Sequence, residues 1–329
     1  MSAAVRANRR LDTTVWRSLF RDRPLIPLTG LLVVLVVVIQ IANPGIVTLP
    51  WFGVILRASV PLAILGGCQT LTMLTGGIDL SVATVASMAG FVTATFVHSP
   101  GGWVQGVIVA LAAAALAGRV TGIGVGVFRV HPLIMTLAMS FVVLGFANVW
   151  QLQMVQTGAG VPAELRWIGS NTLLDVIPYS LLVFIPLTLM ILLGLRRTGF
   201  GRLLFAIGDN PVAARLSGAR SWQVLIVLYV ISALLAAISG LVISGFTNTA
   251  SVSLADPYLL PSVAAAVIGG TSIMGGRGGF SGTIVGALIL TVLTALLTVL
   301  GLPEPTRQIV FGTIIVAVAA AYTRVTSEY

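Results

Sequence analysis

The sequence predicts an all-α polytopic membrane protein with about ten transmembrane helices. Three observations support this class: apolar residues make up 57 % of the 329 residues, charged residues make up only 8 %, and the mean hydropathy is +1.06. A water-soluble core cannot use so much apolar surface, whereas a bilayer accepts it in runs of about 20 residues. We therefore expect a single transmembrane domain over residues 1–329.

Ten apolar runs have lengths suited to membrane-spanning helices. They cover about 25–43, 54–75, 81–98, 103–118, 131–150, 177–195, 223–246, 258–274, 280–300 and 307–323. The first 24 residues hold six arginines and no apolar run, so we expect a cytoplasmic tail over 1–24 and an uncleaved first span. Small residues recur inside several runs, as is typical of helices that pack closely in lipid.

An internal repeat is a further hypothesis. Spans two to five and spans seven to ten lie on either side of the middle of the chain. An offset of five spans reverses the direction of the chain in the membrane, so such a repeat would be inverted. A glycine-rich break interrupts each half, at 76–81 and at 269–279.

Arginine alone supplies the basic charge, because the chain has no lysine and its net charge is +9. With a cytoplasmic N-terminus, fifteen of the eighteen arginines fall on the cytoplasmic side, and only Arg57, Arg166 and Arg307 fall outside. This distribution predicts a multi-pass protein of a bacterial plasma membrane with both termini in the cytoplasm. Because the arginines lie in loops between apolar runs, we expect contact with membrane lipid and no nucleic-acid binding.

The longest segment of mixed polarity between apolar runs is the central loop, residues 196–222, which this topology places in the cytoplasm. A short helix is predicted inside it. Asp209 or Asn210 can supply the N-cap, and Pro211 suits the first helical position. Gly218 suits the left-handed residue that follows a helix end.

The predicted helix also has a small apolar face, because Val212 and Leu216 lie four residues apart. Two interpretations are open. The helix is either a rigid projection that another protein contacts, or an ordinary loop helix on the membrane surface.

Asp79 lies between two apolar runs, in the segment from Thr75 to Ser81. An ionisable group at that place is costly in hydrocarbon and is a candidate functional residue. The alternative is that its carboxylate caps the third span by accepting from backbone amides near Ser81. Since the spans contain no other acidic residue, a proton relay would have no second member.

Polar and aromatic side chains cluster near the outer end of the fifth span, at Asn148, Trp150, Gln151 and Gln153. Amides and an indole ring suit sugar hydroxyls and a sugar face, and they equally suit an aromatic belt with interhelical hydrogen bonds. A nucleotide-binding loop would need a lysine, and two histidines with one cysteine, far apart, suggest no metal site. We expect no catalytic residues and no cofactor in this chain.

Three motifs resemble the signatures of the ribose-type ABC sugar permease family. They are LTGGIDLSV at 74–82, GRLLFAIGDNPVAARLSG at 201–218 and IGGTSIMGGRGG at 268–279. The motifs occur in the expected order, and the resemblance covers about 50–323. It implies the ABC importer permease fold and a subunit that forms the pathway for a monosaccharide or similar small polar solute delivered by a binding protein.

The resemblance implies that the central loop couples to an ATPase. The coupling candidates are Gly208, Asp209, Asn210, Pro211, Val212, Ala213, Ala214, Arg215, Leu216, Ser217 and Gly218. The pathway candidates are Asp79, Ser81, Thr121, Asn148 and Gln151. Ala83 and Thr121 stand where the family usually has glycine and asparagine, so the resemblance leaves the identity of the sugar open.

The partners implied by the resemblance are a cytoplasmic ATPase subunit that binds ATP and Mg²⁺, an extracytoplasmic sugar-binding protein, and a second permease copy or a sister permease. A nucleoside ABC permease is an alternative within the same class. A stand-alone secondary transporter is an alternative of a different class, and it predicts buried charge pairs or broken helices at mid-membrane. A structural scaffold is the third class.

Overall fold

The computed structural model describes residues 25–97, 101–154, 160–303, 305–314 and 316, so the predicted N-terminal tail lies outside the described residues. Apart from one β-hairpin with two-residue strands, the regular structure of the described residues is helical, in agreement with the predicted all-α class. The helices are α1 (Leu25–Ala42), α2 (Leu49–Met73), α3 (Val82–Thr95), α4 (Gly102–Gly126), α5 (Pro132–Met154), α6 (Ala163–Ser170), α7 (Leu181–Arg197), α8 (Gly199–Asp209), α9 (Pro211–Leu216), α10 (Ser221–Thr247), α11 (Leu259–Ile268) and α12 (Phe280–Val299).

Four smaller elements complete the described part of the chain. Strand β1 (Thr172–Leu173) pairs antiparallel with β2 (Ile177–Pro178). A 3₁₀ turn at Asp256–Tyr258 precedes α11, and residues 305–314 are helical. The last predicted span, 307–323, therefore lies only in part within the described residues.

Within the described ranges, six helices are long and apolar enough to cross a membrane, and the bent pair α7–α8 would make a seventh. Helices α3 and α11 have 14 and 10 residues, about 21 and 15 Å at 1.5 Å per residue, against roughly 30 Å of hydrocarbon. The run predicted at 258–274 is shorter as a helix because Gly269 and Gly270 end α11. The chain is a polytopic membrane protein.

Helix α10 lies at the centre of the bundle and packs against α2, α3, α4 and α6. It approaches α4 closely because Gly118 and Gly122 face its backbone, and a Cβ atom at Gly122 would lie 2.5 Å from the Ile226 Cα atom. On the α3 side, Gly240 faces the Ala86 carbonyl in the same way. Small residues of this kind let helices pack at backbone distance in lipid, as the sequence suggested.

Helix α2 is the second packing centre and contacts α11 and α12. Gly282 and Gly286 of α12 face the carbonyl oxygens of Gly269 and Ala265. The end of α11 and the start of α12 are therefore in backbone contact, and the glycine-rich loop that joins them is held against the bundle.

Helix α6 crosses the C-terminal end of α10, where Gly169 and Gly245 bring the two backbones together. Arg57 of α2 donates from Nη1 to the Ser170 carbonyl at the end of α6, and its guanidinium carbon lies 5.4 Å from the centre of the Phe246 ring. A cation is favoured at a helix C-terminus by the helix dipole. These contacts fix α6 to the bundle.

Helices α7 and α8 meet at an angle of 68° next to Thr198. The Thr198 hydroxyl donates to the Gly194 carbonyl at 2.6 Å and accepts from the Gly201 amide at 3.2 Å, so it ends one helix and caps the next. Helix α8 buries one side only, through Gly201, Leu204 and Ile207. It therefore runs along the surface of the bundle and leads the chain into α9.

Candidate coupling site

Helix α9 confirms the short helix predicted in the central loop. Asn210 is its N-cap: the Oδ1 atom accepts from the Val212 amide at 3.0 Å and from the Ala213 amide at 2.9 Å. Asp209, the other capping candidate, is the last residue of α8. Pro211 occupies the first helical position, where its missing N–H leaves no bond unmade.

The C-terminal end of α9 is closed by a Schellman motif. Gly218 has a φ of +86° and donates from its amide to the Arg215 carbonyl at 3.0 Å. The Ala219 amide donates to the Ala214 carbonyl at 3.1 Å. With both ends capped, α9 is a defined short helix and not an irregular loop.

One side of α9 anchors it and the other is not covered by the rest of the chain that the structure describes. Ala214 is only 6 % exposed and packs against the core, whereas Val212 is 55 % exposed and Leu216 is 85 % exposed. Arg215 donates from Nε to the Pro211 carbonyl at 3.1 Å, so its side chain lies along the helix. The projecting surface is therefore small, apolar and flanked by a cation.

The end of α8 meets two glycine-rich loops at one place, which we call the glycine junction (Leu74, Gly76, Gly208, Gly275 and Gly276). A Cβ atom at Gly208 would overlap the Leu74 carbonyl oxygen and would lie 2.5 Å from the Gly276 amide nitrogen. That amide donates to the Leu74 carbonyl at 3.0 Å. A Cβ at Gly275 would lie 2.9 Å from the Gly208 carbonyl oxygen and 3.0 Å from the Gly76 amide nitrogen. Segments of all three sequence motifs therefore touch through their backbones.

The first of these loops, between α2 and α3, begins with a Schellman motif. Gly76 has a φ of +77° and donates to the Met73 carbonyl at 2.9 Å, and the Gly77 amide donates to the Thr72 carbonyl at 3.1 Å. The second loop begins in the same way after α11. Gly270, with a φ of +87°, donates to the carbonyl of residue 267 at 2.9 Å. Both loops thus have a defined backbone geometry. We call the loop between α2 and α3 the first break and the loop between α11 and α12 the second break.

Two side chains hold the backbone of the first break. The Gln69 amide of α2 donates to the Asp79 carbonyl at 2.8 Å and accepts from the Asp79 amide at 3.2 Å. The Thr136 hydroxyl of α5 donates to the Ile78 carbonyl at 3.1 Å and accepts from the Leu80 amide at 3.1 Å. Non-helical backbone is tolerated at membrane depth when it is paired in this way.

The Asp79 carboxylate is buried, with 2 % of the residue exposed. Its Oδ1 atom accepts from the Ser81 amide at 3.0 Å and from the Ser81 hydroxyl at 2.6 Å. Its Oδ2 atom accepts from the Ser232 hydroxyl of α10 at 2.9 Å. The carboxylate therefore accepts from the Ser81 amide, as the capping interpretation predicts, but the N-cap of α3 is Ser81 and not Asp79, so the bond lies just before the helix. The carboxylate also ties the first break to the central helix.

The five pathway candidates do not form one cluster. Asp79 and Ser81 bond each other, and Thr121 is buried on α4 with its hydroxyl donating to the Ala117 carbonyl at 3.0 Å. Asn148 and Gln151 are exposed on α5. These last two therefore lie on a surface of the described bundle, whereas Asp79, Ser81 and Thr121 lie inside it.

Sequence reasoning missed Gln69, Thr136 and Ser232, although each is a polar residue inside an apolar run. Polar side chains in such runs commonly form hydrogen bonds between helices, and that signal could have identified them. Among the described residues, no group of three or more histidine, cysteine or acidic side chains is placed to hold a metal ion.

Comparison with known proteins decides the family. Residues 52–319 match the family described as branched-chain amino acid transport system / permease component. The ribose import permease protein of Escherichia coli K12 is 33 % identical to this chain over 317 residues, which cover 96 % of the chain and 97 % of that relative. The chain belongs to the ribose-type ABC sugar permease family.

Other relatives of the permease are named for the transport of different sugars. The fructose import permease protein of Rhizobium meliloti is 32 % identical over 80 % of this chain and 76 % of its own length. The galactofuranose transporter permease protein of Escherichia coli K12 is 31 % identical over 80 % of this chain and 77 % of its own length. No solved structure matches the permease significantly. All three motifs of the glycine junction lie within the matched residues 52–319.

Proposed function

We propose that this permease forms a translocation pathway for a monosaccharide together with a second permease copy, and that an ATPase subunit drives transport by pushing on residues 208–218. Family membership implies an ATPase and a binding protein as partners in general. The single observation that carries the coupling role is α9 itself. It is capped at both ends, it exposes Val212 and Leu216, and it is connected through Gly208 to both helix breaks.

The exposed side of α9 has the chemistry of a docking surface. Apolar burial stabilises by about 25 cal/mol per Å², so enclosing two aliphatic side chains in a groove of the ATPase would contribute a few kcal/mol. Arg215 beside them would favour a groove with an acidic rim, which affects the rate and orientation of docking more than its strength.

The alternative functions have less support. The relatives named above are sugar permeases, so a monosaccharide is a better proposal than a nucleoside. A secondary transporter would need a buried charge pair or a coupling-ion site. The helix breaks that such a carrier uses are present here, but the Asp79 carboxylate is hydrogen-bonded to hydroxyl and amide groups.

We also propose that the chain crosses the membrane ten times as an inverted repeat. Under an offset of five spans, α2, α3 and α4 correspond to α10, α11 and α12. The packing supports this correspondence: α10 packs on α3 and α4, α2 packs on α11 and α12, and the contact between α3 and α4 has its counterpart between α11 and α12. The two short apolar helices, α3 and α11, are also equivalent under this offset.

The proposed function predicts a complex with two permease copies and two nucleotide-binding domains. The complex should be purified in lipid nanodiscs, and ATP hydrolysis measured with the binding protein loaded with ribose, fructose or galactofuranose. We expect one of these sugars to stimulate hydrolysis above the level given by the unloaded binding protein. Stimulation by adenosine but by none of the sugars would favour the nucleoside alternative, and one permease copy with full stimulation would contradict the dimer.

We propose a cytoplasmic position for both termini and for α9, which labelling of single cysteines would test. The native Cys68 is buried, so it should give little background. With an impermeant maleimide added to intact cells, Leu174→Cys should react and Ser217→Cys should react only after permeabilisation. Leu174, 83 % exposed between α6 and α7, is the matched control. Labelling of Ser217→Cys in intact cells would refute this topology.

A further inference from the structure

We infer that the glycine junction is a rigid joint through which a displacement of α8 and α9 reaches both helix breaks together, and that Gly208 is its positioning residue. This inference rests on the proposed coupling role of residues 208–218. It goes further by naming the route inside the permease and the residue on which that route depends.

The contact at Gly208 is between backbones. Its Cα hydrogen faces the Leu74 carbonyl at the end of α2, so the smallest side chain would overlap that oxygen. On the other side, a Cβ atom at Gly276 would lie 3.0 Å from the Asp209 Cα atom and 3.3 Å from its Cβ atom. No flexible side chain separates the three segments, so none can absorb a movement of α8.

The two helix breaks are also hydrogen-bonded to each other at the glycine junction. The Gly276 amide, in the second break, donates to the Leu74 carbonyl at the start of the first break at 3.0 Å. Gly275 and Gly276 have φ values of +93° and +70°, which glycine adopts without steric cost. A push on α8 at Gly208 therefore acts on the two breaks at once, and through them on α3 and α12.

The remaining attachments of the first break explain how such a displacement would reach the pathway. Asp79 ties that break to α10 through Ser232, and Thr136 ties it to α5. Helix α5 bears the exposed Asn148 and Gln151. The joint thus lies between the surface that would contact the ATPase and the helix that bears the two exposed pathway candidates.

The first experiment compares Gly208→Ala with Gly194→Ala in the complete transporter. Both residues are helical glycines of the α7–α8 unit, but a Cβ at Gly194 has nothing within 4 Å. The measurement is the coupling ratio, the number of sugar molecules taken up per ATP hydrolysed. A loss of folded protein lowers uptake and hydrolysis in proportion and leaves this ratio unchanged.

We expect Gly208→Ala to bind the ATPase and hydrolyse ATP while its coupling ratio falls at least about fivefold, the low end of typical coupling between sites. Gly194→Ala should keep the parent ratio. A parent coupling ratio in Gly208→Ala would overturn the inference, because an unavoidable separation of the backbones would then have no effect on transport.

The second experiment keeps the joint closed and does not depend on the first variant folding. In Asp209→Cys/Gly276→Cys, the two Cβ atoms would lie 3.3 Å apart, slightly below the 3.5–4.5 Å of a disulfide. Because Gly276 has a φ of +70°, a cysteine there is strained in itself, so the oxidised protein is compared only with the same double variant before oxidation. We expect mild oxidation to form the disulfide and to leave uptake at the level of the same protein before oxidation, because the two segments move as one unit. Loss of uptake on oxidation, or failure of the pair to cross-link in folded protein, would overturn the rigid joint.

The coupling role of residues 208–218 and the rigid joint can be tested separately. If residues 208–218 do not contact the ATPase, Leu216→Asp will bind it normally and transport normally. If the coupling role is correct but the joint is not, Leu216→Asp will lose the complex while Gly208→Ala keeps both the complex and the parent coupling ratio.

Discussion

Replacing Leu216 with aspartate should abolish stable binding of the ATPase subunit and, as a consequence, sugar uptake. Leu216 is 85 % exposed at the end of α9, and Val212 on the same side is 55 % exposed. Burying an aliphatic side chain of this size in a partner contributes about 1.5–3 kcal/mol. Its loss, together with the cost of burying an unpaired carboxylate, should weaken the complex at least a hundredfold, which corresponds to about 3 kcal/mol.

The permease should still insert and fold with this substitution, because the Leu216 side chain is 85 % exposed and makes little contact with the rest of the permease. Leu174→Asp provides the matched control, since Leu174 is 83 % exposed in the segment between α6 and α7, away from α9. Pull-down of the ATPase and sugar uptake should be measured on the same membranes. If Leu216→Asp forms the complex and transports as the parent does, α9 is a surface helix with no part in coupling.

The parts of this molecule that follow local rules could be predicted from the sequence. Apolar runs located the helices because a bilayer selects them by length and composition. The helix at 211–216 was predictable because its caps are adjacent in sequence: Asn210 bonds residues two and three positions later, and Gly218 follows the last turn. The sequence left Asp209 and Asn210 as equal candidates for the N-cap, because both side chains can accept from backbone amides. The backbone geometry of the structure decides between them: Asn210 is the N-cap of α9, and Asp209 is the last residue of α8.

The parts that depend on tertiary packing could not be predicted in the same way. Asp79 bonds Ser232, which lies 153 positions later, and no local pattern connects them. The glycine junction joins residues near 75, 208 and 276, and each glycine there has an ordinary local role as a helix end or turn. The run at 258–274 was predicted as one span because Ile273 and Met274 continue its apolar character past the glycines.

Substitution of Asp79 by leucine should have the largest effect inside the membrane. The carboxylate accepts from the Ser81 amide, the Ser81 hydroxyl and the Ser232 hydroxyl at a site that is 2 % exposed. Leucine would leave these donors buried without an acceptor, at about 1–3 kcal/mol each. The sum approaches the roughly 5–15 kcal/mol of net stability of a typical domain, so we expect Asp79→Leu to lose assembly, transport or both.

Asparagine at the same position should preserve most of the fold and most of the transport. Its Oδ1 atom can accept both bonds from Ser81, and its Nδ2 group can donate to Ser232, whose hydroxyl can rotate from donor to acceptor. The geometry of the first break is then kept and only the carboxylate itself is lost. The two substitutions therefore separate a hydrogen-bonding role of Asp79 from a role that depends on its charge.

The measurements are the amount of permease in the membrane, the Tm of the purified protein and the rate of sugar uptake per molecule. Ser232→Ala removes one of the three bonds, so its Tm should fall between the values for Asp79→Asn and Asp79→Leu. A parent uptake rate in Asp79→Leu would show that the residue neither holds the break nor acts in transport. A fully folded Asp79→Asn that cannot transport would instead mean that the charge is required, because every hydrogen bond at the break would still be made.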